Sequence, residues 1–253
     1  LVSGKVVEDI TVKLLTLAVT ELPQDVKDAL RKAHHEEESE VGKAQLKAIL
    51  DNVELAEKTH SPICQDTGLV IFYVKAGAQV EELDKIEDAL RNGTARATRE
   101  LPLRPNAVNP FTQKNTGDNT GRNIPYINWQ VVPGDTLEIT VLPKGGGSEN
   151  VSALGMLSPS QGIKGLKKFV IDTVINAGAK PCPPIVLGVA VGGGADIALK
   201  LAKATLLKPL GEPNIDPKLA KLEQELREAI NSTGIGPMGL GGKTTVLDLK
   251  VDF

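Results

Sequence analysis

The sequence contains no stretch of the roughly 18 consecutive apolar residues that a membrane-spanning helix needs, so a transmembrane anchor is not expected. It also lacks a long basic run, and its net charge is −3. That sets nucleic acid aside as a partner but not a small anion, because a binding site needs only a few local cations. The first residues, Leu1-Val2-Ser3-Gly4-Lys5, do not follow the pattern of a secretory signal, and the expected location is cytoplasmic. Cysteine is scarce: only Cys64 and Cys182 occur, which suits a compartment where thiols stay reduced. Counting alone leaves three readings of the pair, namely a disulfide, two inert core residues, or two ligands, and it favours the inert one. Internal repeats and low-complexity linkers are absent.

What is present is a globular balance. The 253 residues are 41% hydrophobic and 24% charged, enough to bury a sizeable core without staples. The first third reads helical. Val6, Ile10, Leu14, Leu17 and Ala18 recur at helix spacing. Pro23 suits the first turn of a second helix, and a third covers about 40–58 with Val41, Ile49, Val53 and Ala56 inward. His34 and His35 beside Glu36, Glu37 and Glu38 suggest either a metal site or a solvated helix end. The second reading is preferred, because three adjacent Glu cannot share one helical face.

After that the pattern mixes. Leu69–Val74 reads as a strand and 80–100 as a helix, whereas 101–126 is irregular and Pro-rich, a feature that is often functional. Ile127–Val132 and Thr136–Leu142 read as two strands joined by Pro133-Gly134-Asp135. Helices follow at about 160–177, 195–207 and 216–231. A buried-looking strand runs from Ile185 to Val191, and a last strand carries Leu247, Leu249, Val251 and Phe253 in alternation. The expected class is mixed α/β, with a helical N-terminal part followed by sheet elements interleaved with helices.

Each cysteine lies in a loop beside proline rather than inside a helix or strand, where core cysteines usually sit. A loop can aim sulfur at a metal, but no local CxxC pattern exists, so spacing alone is a weak metal argument. Gln65 and Asp66 place an amide and a carboxylate next to a thiol. Asp66 reads either as a proton-transfer group or as a turn residue bonding its own backbone near Gly68. Lys144-Gly145-Gly146-Gly147-Ser148 could hold a carboxylate on backbone N–H groups or simply be a strand exit. Gly192-Gly193-Gly194 lies between strand and helix without dinucleotide-loop spacing. Gly241-Gly242-Lys243-Thr244 ends like a Walker A loop, but the required first glycine is Pro237, and a strand follows in place of a helix.

Several of these loops together resemble a family. Pro62-Ile63-Cys64-Gln65-Asp66-Thr67-Gly68 is similar to the first cluster-cysteine motif of class I fumarases and tartrate dehydratases. Asn115-Thr116-Gly117-Asp118-Asn119-Thr120-Gly121 is similar to the family's Asn-Thr-Gly stretch, and Lys144–Asn150 to the glycine loop of its fumarase branch. Lys180-Pro181-Cys182-Pro183-Pro184 matches the second cluster cysteine, and Gly234–Gly242 the late glycine motif. These occur in family order over nearly the whole chain.

The resemblance implies one N-terminal catalytic domain over 1–253, the alpha subunit of a two-subunit fumarate hydratase, with a C-terminal tail missing. It implies a [4Fe–4S] cluster whose ligands include Cys64 and Cys182, with a third cysteine beyond Phe253. One iron, lacking a protein thiolate, would act as a Lewis acid on a dicarboxylate substrate. Gln65, Arg104 and the Gly147 backbone are then expected to bind substrate, and Asp66 to be catalytic. A beta subunit would supply the base for the carbon acid, and the assembly would be an alpha homodimer within a heterotetramer. Fumarate is preferred over tartrate on the glycine loop. A cluster-free binding subunit and a P-loop ATPase are the rival readings.

Overall fold

A computed structural model of the chain describes residues 3–253. Among them, helices α1 (Gly4–Thr20), α2 (Gln24–Glu36) and α3 (Glu40–Thr59) come first. They are followed by β1 (Leu69–Gly77), α4 (Ile86–Glu100), β2 (Tyr126–Val132), β3 (Leu137–Lys144) and a single turn, α5 (Gly146–Glu149). The rest comprises α6 (Gly162–Ala177), β4 (Ile185–Ala190), α7 (Ala195–Thr205), α8 (Pro217–Asn231) and β5 (Val246–Asp252). The class is mixed α/β, helical first and interleaved afterwards. No helix of the described residues is long and apolar enough to cross a membrane.

The chain divides into two compact units. The first comprises residues 1–22 and 52–146, the second 23–51 and 147–253. The core of the first lies between its sheet and helices α1 and α4. Phe72, Val74 and Ala76 alternate along one face of β1 and meet Val7, Leu15, Ile86 and Leu90. The burial stripe of α1 runs through Val7, Thr11, Leu15 and Val19. Of the residues read from spacing, Val6, Ile10 and Leu17 are exposed: α1 has apolar residues on two sides, and periodicity does not say which side the core takes. Similarly, Leu46, Val53 and Ala56 of α3 are buried, but Val41 is exposed.

Strands β2 and β3 do not pair with each other. The sheet order is β2-β1-β3, with β2 parallel and β3 antiparallel to the central β1. The reason is burial. β1 is the most continuously apolar strand of the three and is covered along most of its length, so the central position suits it. The Pro133-Gly134-Asp135 connection therefore spans a strand in place of closing a hairpin.

In the second unit β4 and β5 run parallel. Leu166, Val170 and Val174 of α6, and Leu222, Leu226 and Ile230 of α8, pack with Val189, Leu249 and Val251 into its core. Asp216 caps α8, its side chain accepting from Lys218 N, with Pro217 at the first helical position. The opposite side of β5 is also covered. There Lys250 donates to Asp248 at 3.0 Å, both buried, and Asp248 also accepts Gly211 N at 2.8 Å. A buried charge is tolerable when paired and hydrogen-bonded in this way.

Candidate functional site

In the first unit, the Cys64 loop joins α3 to β1. It is anchored just before the cysteine, where Ile63 N donates to Val19 O at 2.8 Å and Asn52 Nδ2 donates to Ile63 O at 2.8 Å. Cys64 itself is free and exposed, and its Sγ accepts Asp66 N at 3.4 Å. Gly68 has φ +86°, and a Cβ there would stand 2.6 Å from Lys144 N. Only glycine allows this close approach. Because β1 begins antiparallel to the end of β3, Leu69 pairs with Lys144, and the Cys64 loop meets the start of the glycine-rich segment.

That meeting is made chemically by Asp66, whose Oδ2 accepts Gly146 N at 2.6 Å. The carboxylate thus bonds the glycine loop 80 residues away, in contrast to the local turn near Gly68 that sequence offered as an alternative. Arg104 is brought to the same place through its backbone. Arg104 N donates to Thr67 Oγ1 at 3.0 Å, and Arg104 O accepts Asn119 Nδ2 at 3.2 Å. Asn119, only 2% exposed and left-handed at φ +57°, also donates to Thr98 Oγ1 and accepts Asn106 N at 3.1 Å. The Arg104 and Gln65 side chains are exposed. Next to Asn119, burial pushes the Asp118 carboxyl upward, but hydrogen bonds from Thr116 and Thr120 outweigh it and hold it below the ordinary value.

In the second unit, Cys182 is also free and exposed. It adopts φ +57° and donates its N–H to Ala179 O at 3.0 Å. A non-glycine residue in this region is strained, and such strain persists only where the surroundings over-determine it. Gly147 packs against the same loop: a Cβ there would lie 2.8 Å from Lys180 O. Glu149 accepts Lys203 Nζ at 2.7 Å.

Both cysteines are therefore free, exposed loop residues; they form no disulfide, and the inert-core reading that counting favoured is overturned by their exposure. Thiolate is the donor that iron–sulfur clusters take, so each cysteine suits that group by chemistry and exposure. The described residues contain no gathered set of three or more His, Cys, Asp or Glu able to hold a metal ion.

Two sequence alternatives are closed by packing. The amides of Lys243 and Thr244, which a Walker A loop would turn to phosphate, point to the Glu37 carboxylate. The segment then enters β5, not a helix. A cavity of about 400 Å³ lies against β4, α6 and α7, beside Gly192 and Gly194, but apolar residues such as Leu154, Met156, Phe169 and Leu187 line it. It offers little to an anion.

These features define a mixed α/β chain that presents two loop thiols, glycine-rich backbone and an arginine fixed beside one thiol loop. Residues 8–253 match the family described as Fumarate hydratase (Fumerase), and the chain belongs to it. The chain is 50% identical over 251 residues to the putative L(+)-tartrate dehydratase subunit alpha of Methanocaldococcus jannaschii, covering 98% of this chain and 88% of that protein. It is 35% identical over 245 residues to the L(+)-tartrate dehydratase subunit alpha of Escherichia coli strain K12, covering 96% and 81% respectively. The family is one of hydro-lyases, by the reactions in these names.

Sequence reasoning missed Thr67 and Glu37 and gave Asn119 no role beyond its motif. A small hydroxyl, one of three consecutive Glu and an Asn in a loop carry no local signal; their partners are distant in the chain.

Proposed function

We propose that this chain is the cluster-bearing alpha subunit of a hydro-lyase that interconverts fumarate and malate, with Cys64 and Cys182 as thiolate ligands of a [4Fe–4S] cluster. The observation that carries the reading is the first-unit assembly. The Cys64–Thr67 loop, Arg104 and Gly146 come from three separate parts of the sequence and are tied together by the Asp66–Gly146 and Thr67–Arg104 hydrogen bonds. The bound cluster supplies a Lewis-acidic iron. The chain's own residues do the rest. The Arg104 guanidinium pairs with a substrate carboxylate through two parallel hydrogen bonds, and Gln65 and the Gly147 amide add contacts. Asp66, oriented by Gly146 N–H, carries a proton-transfer role. A beta subunit completes the site with the base for the carbon-bound proton, and the assembly is cytoplasmic.

The names of the relatives favour L(+)-tartrate as a second substrate reading. One experiment separates the possibilities. The chain is reconstituted anaerobically with iron and sulfide and assayed for fumarate hydration and L-tartrate dehydration, with and without a beta subunit. About four iron and four sulfide per chain are expected for one [4Fe–4S] cluster, with fumarate hydration only on mixing and loss of activity in air. Turnover of tartrate alone would transfer the proposal to that substrate. Full activity without iron would end it.

A further inference from the structure

Glu37 is the one member of its acidic run that the fold buries. It is 2% exposed, while Glu36 and Glu38 are exposed. Its Oε1 accepts Glu38 N and Ser39 N, both at 3.1 Å, and its carboxylate accepts Lys243 N at 2.8 and 3.0 Å and bonds Thr244 N as well. Two glycines make the room. A Cβ on Gly42 would lie 2.8 Å from Glu37 Cδ, and one on Gly242 would lie 2.8 Å from Oε2. A carboxylate enclosed by backbone N–H groups is a strong, charge-assisted anchor.

What it anchors is the late glycine segment. From Lys243 the chain runs back through a tight turn in which Gly241 N donates to Ile235 O and Gly239 N to Gly236 O. The tip of this turn rests on the Cys182 loop at two points, one on each side of the cysteine. Met238 N donates to Pro183 O at 2.7 Å, and Gly239 packs against Ala179 so closely that a Cβ there would clash. Between these two points Cys182 holds its left-handed backbone. Among the described residues, the tip itself has no side-chain anchor of comparable charge. Thr245 Oγ1 and Asn231 Oδ1 hold the root, accepting Gly236 N and the amides of Thr245 and Val246.

We infer that Glu37 is a positioning residue for Cys182: its carboxylate clamps the 236–243 segment, and that segment holds the cysteine loop in its strained conformation. The role assigned to Cys182 rests on the proposed function; the mechanical relay does not.

The test is thiol chemistry on the full chain in the absence of iron. Alkylation rates of Cys182 and Cys64 by iodoacetamide are read by mass spectrometry, with Cys64 as the internal control in the other unit. Glu37→Gln, which sets an amide N–H₂ against backbone donors, should change the Cys182 rate about threefold or more as the exposed thiol loses its fixed loop conformation, with Cys64 unchanged. Glu37→Asp, which keeps the charge, should restore most of the difference. A folded Glu37→Gln chain with both rates unchanged overturns the relay and leaves Thr245 and Asn231 as sufficient anchors.

If both rates rise together because the variant unfolds, native-state hydrogen exchange of the unmodified chain decides. The Lys243 and Met238 amides must open together and before the amides of β5. Met238 opening without Lys243, or both opening only with β5, overturns the relay. Iron uptake is measured separately. A chain that binds no iron but shows the selective Cys182 effect would refute the cluster reading and support the relay.

Discussion

The two units present their cysteines by different physical means. In the first, short polar side chains do the work: Asp66 reaches Gly146, Thr67 meets Arg104, and the buried amide of Asn119 ties Arg104 and Asn106 to α4 through Thr98. In the second, the cysteine loop is held mainly backbone to backbone, through Met238 and Pro183 and through glycine packing on Ala179, with one buried carboxylate behind it. The first arrangement aims a chemical group at each bond and can carry substrate contacts on the same loop. The second gives a stiff mount for a single sulfur. The difference teaches that equivalent exposure of two thiols need not mean equivalent support.

The largest effect should come from removing the thiols themselves. Cys64→Ser and Cys182→Ser in the assembled enzyme are each expected to lose at least about 1,000-fold in fumarate hydration, since a Lewis-acidic metal is worth several kcal/mol and each 1.36 kcal/mol is tenfold in rate. Iron content must fall in parallel. If one variant keeps both iron and activity, the unit that carries it does not supply a ligand.

Next come the cores. Phe72→Ala should cost about 3–5 kcal/mol and Leu226→Ala about 2–5 kcal/mol, since both residues are fully buried. The sole tryptophan, Trp129, lies in the first unit, so urea melts followed by its fluorescence report that unit, whereas far-UV circular dichroism reports both. Phe72→Ala should lower the fluorescence midpoint more than Leu226→Ala does. Equal shifts would show the two units unfolding as one.

Asn119→Ala strips three hydrogen bonds from a buried site and should cost about 1–3 kcal/mol in the same melts. It should also weaken substrate binding with the cluster intact, because Arg104 loses a backbone anchor. Arg104→Lys is milder in structure. It keeps the charge and loses the planar fork, so KM for malate should rise about tenfold with unchanged iron content. Unchanged kinetics would return Arg104 to an ordinary surface role.

The smallest expected effect is on acid stability. Burial pushes the Glu37 carboxyl upward, but the N–H groups of Ser39, Lys243, Glu38 and Thr244 together outweigh it and hold it below its ordinary value of 4.5. A depressed carboxyl stabilises the fold fully above the unfolded value, and that contribution is lost as pH falls below 4.5 through the native value. Stability measured from pH 7 down to pH 3 should therefore drop less steeply in Glu37→Gln than in the unmodified chain. Parallel curves would mean that Glu37 is not clamped.

By itself the sequence determined the type and approximate position of nearly every element, because helix and strand periodicity and proline and glycine punctuation are local. It also determined which loops could carry chemistry, through cysteines beside prolines and glycine runs between elements. Only tertiary structure decided which side of α1 faces the core, since Val6 and Val7 differ by one position on a helix apolar on both sides. It alone placed β1 between β2 and β3, because strand order depends on which strand must be covered, not on which are adjacent. It likewise separated Glu37 from Glu36 and Glu38 and turned Asp66 toward Gly146. Each of those roles depends on backbone N–H groups 80 or more residues away, and no spacing along the chain announces a partner that arrives only when the chain has folded.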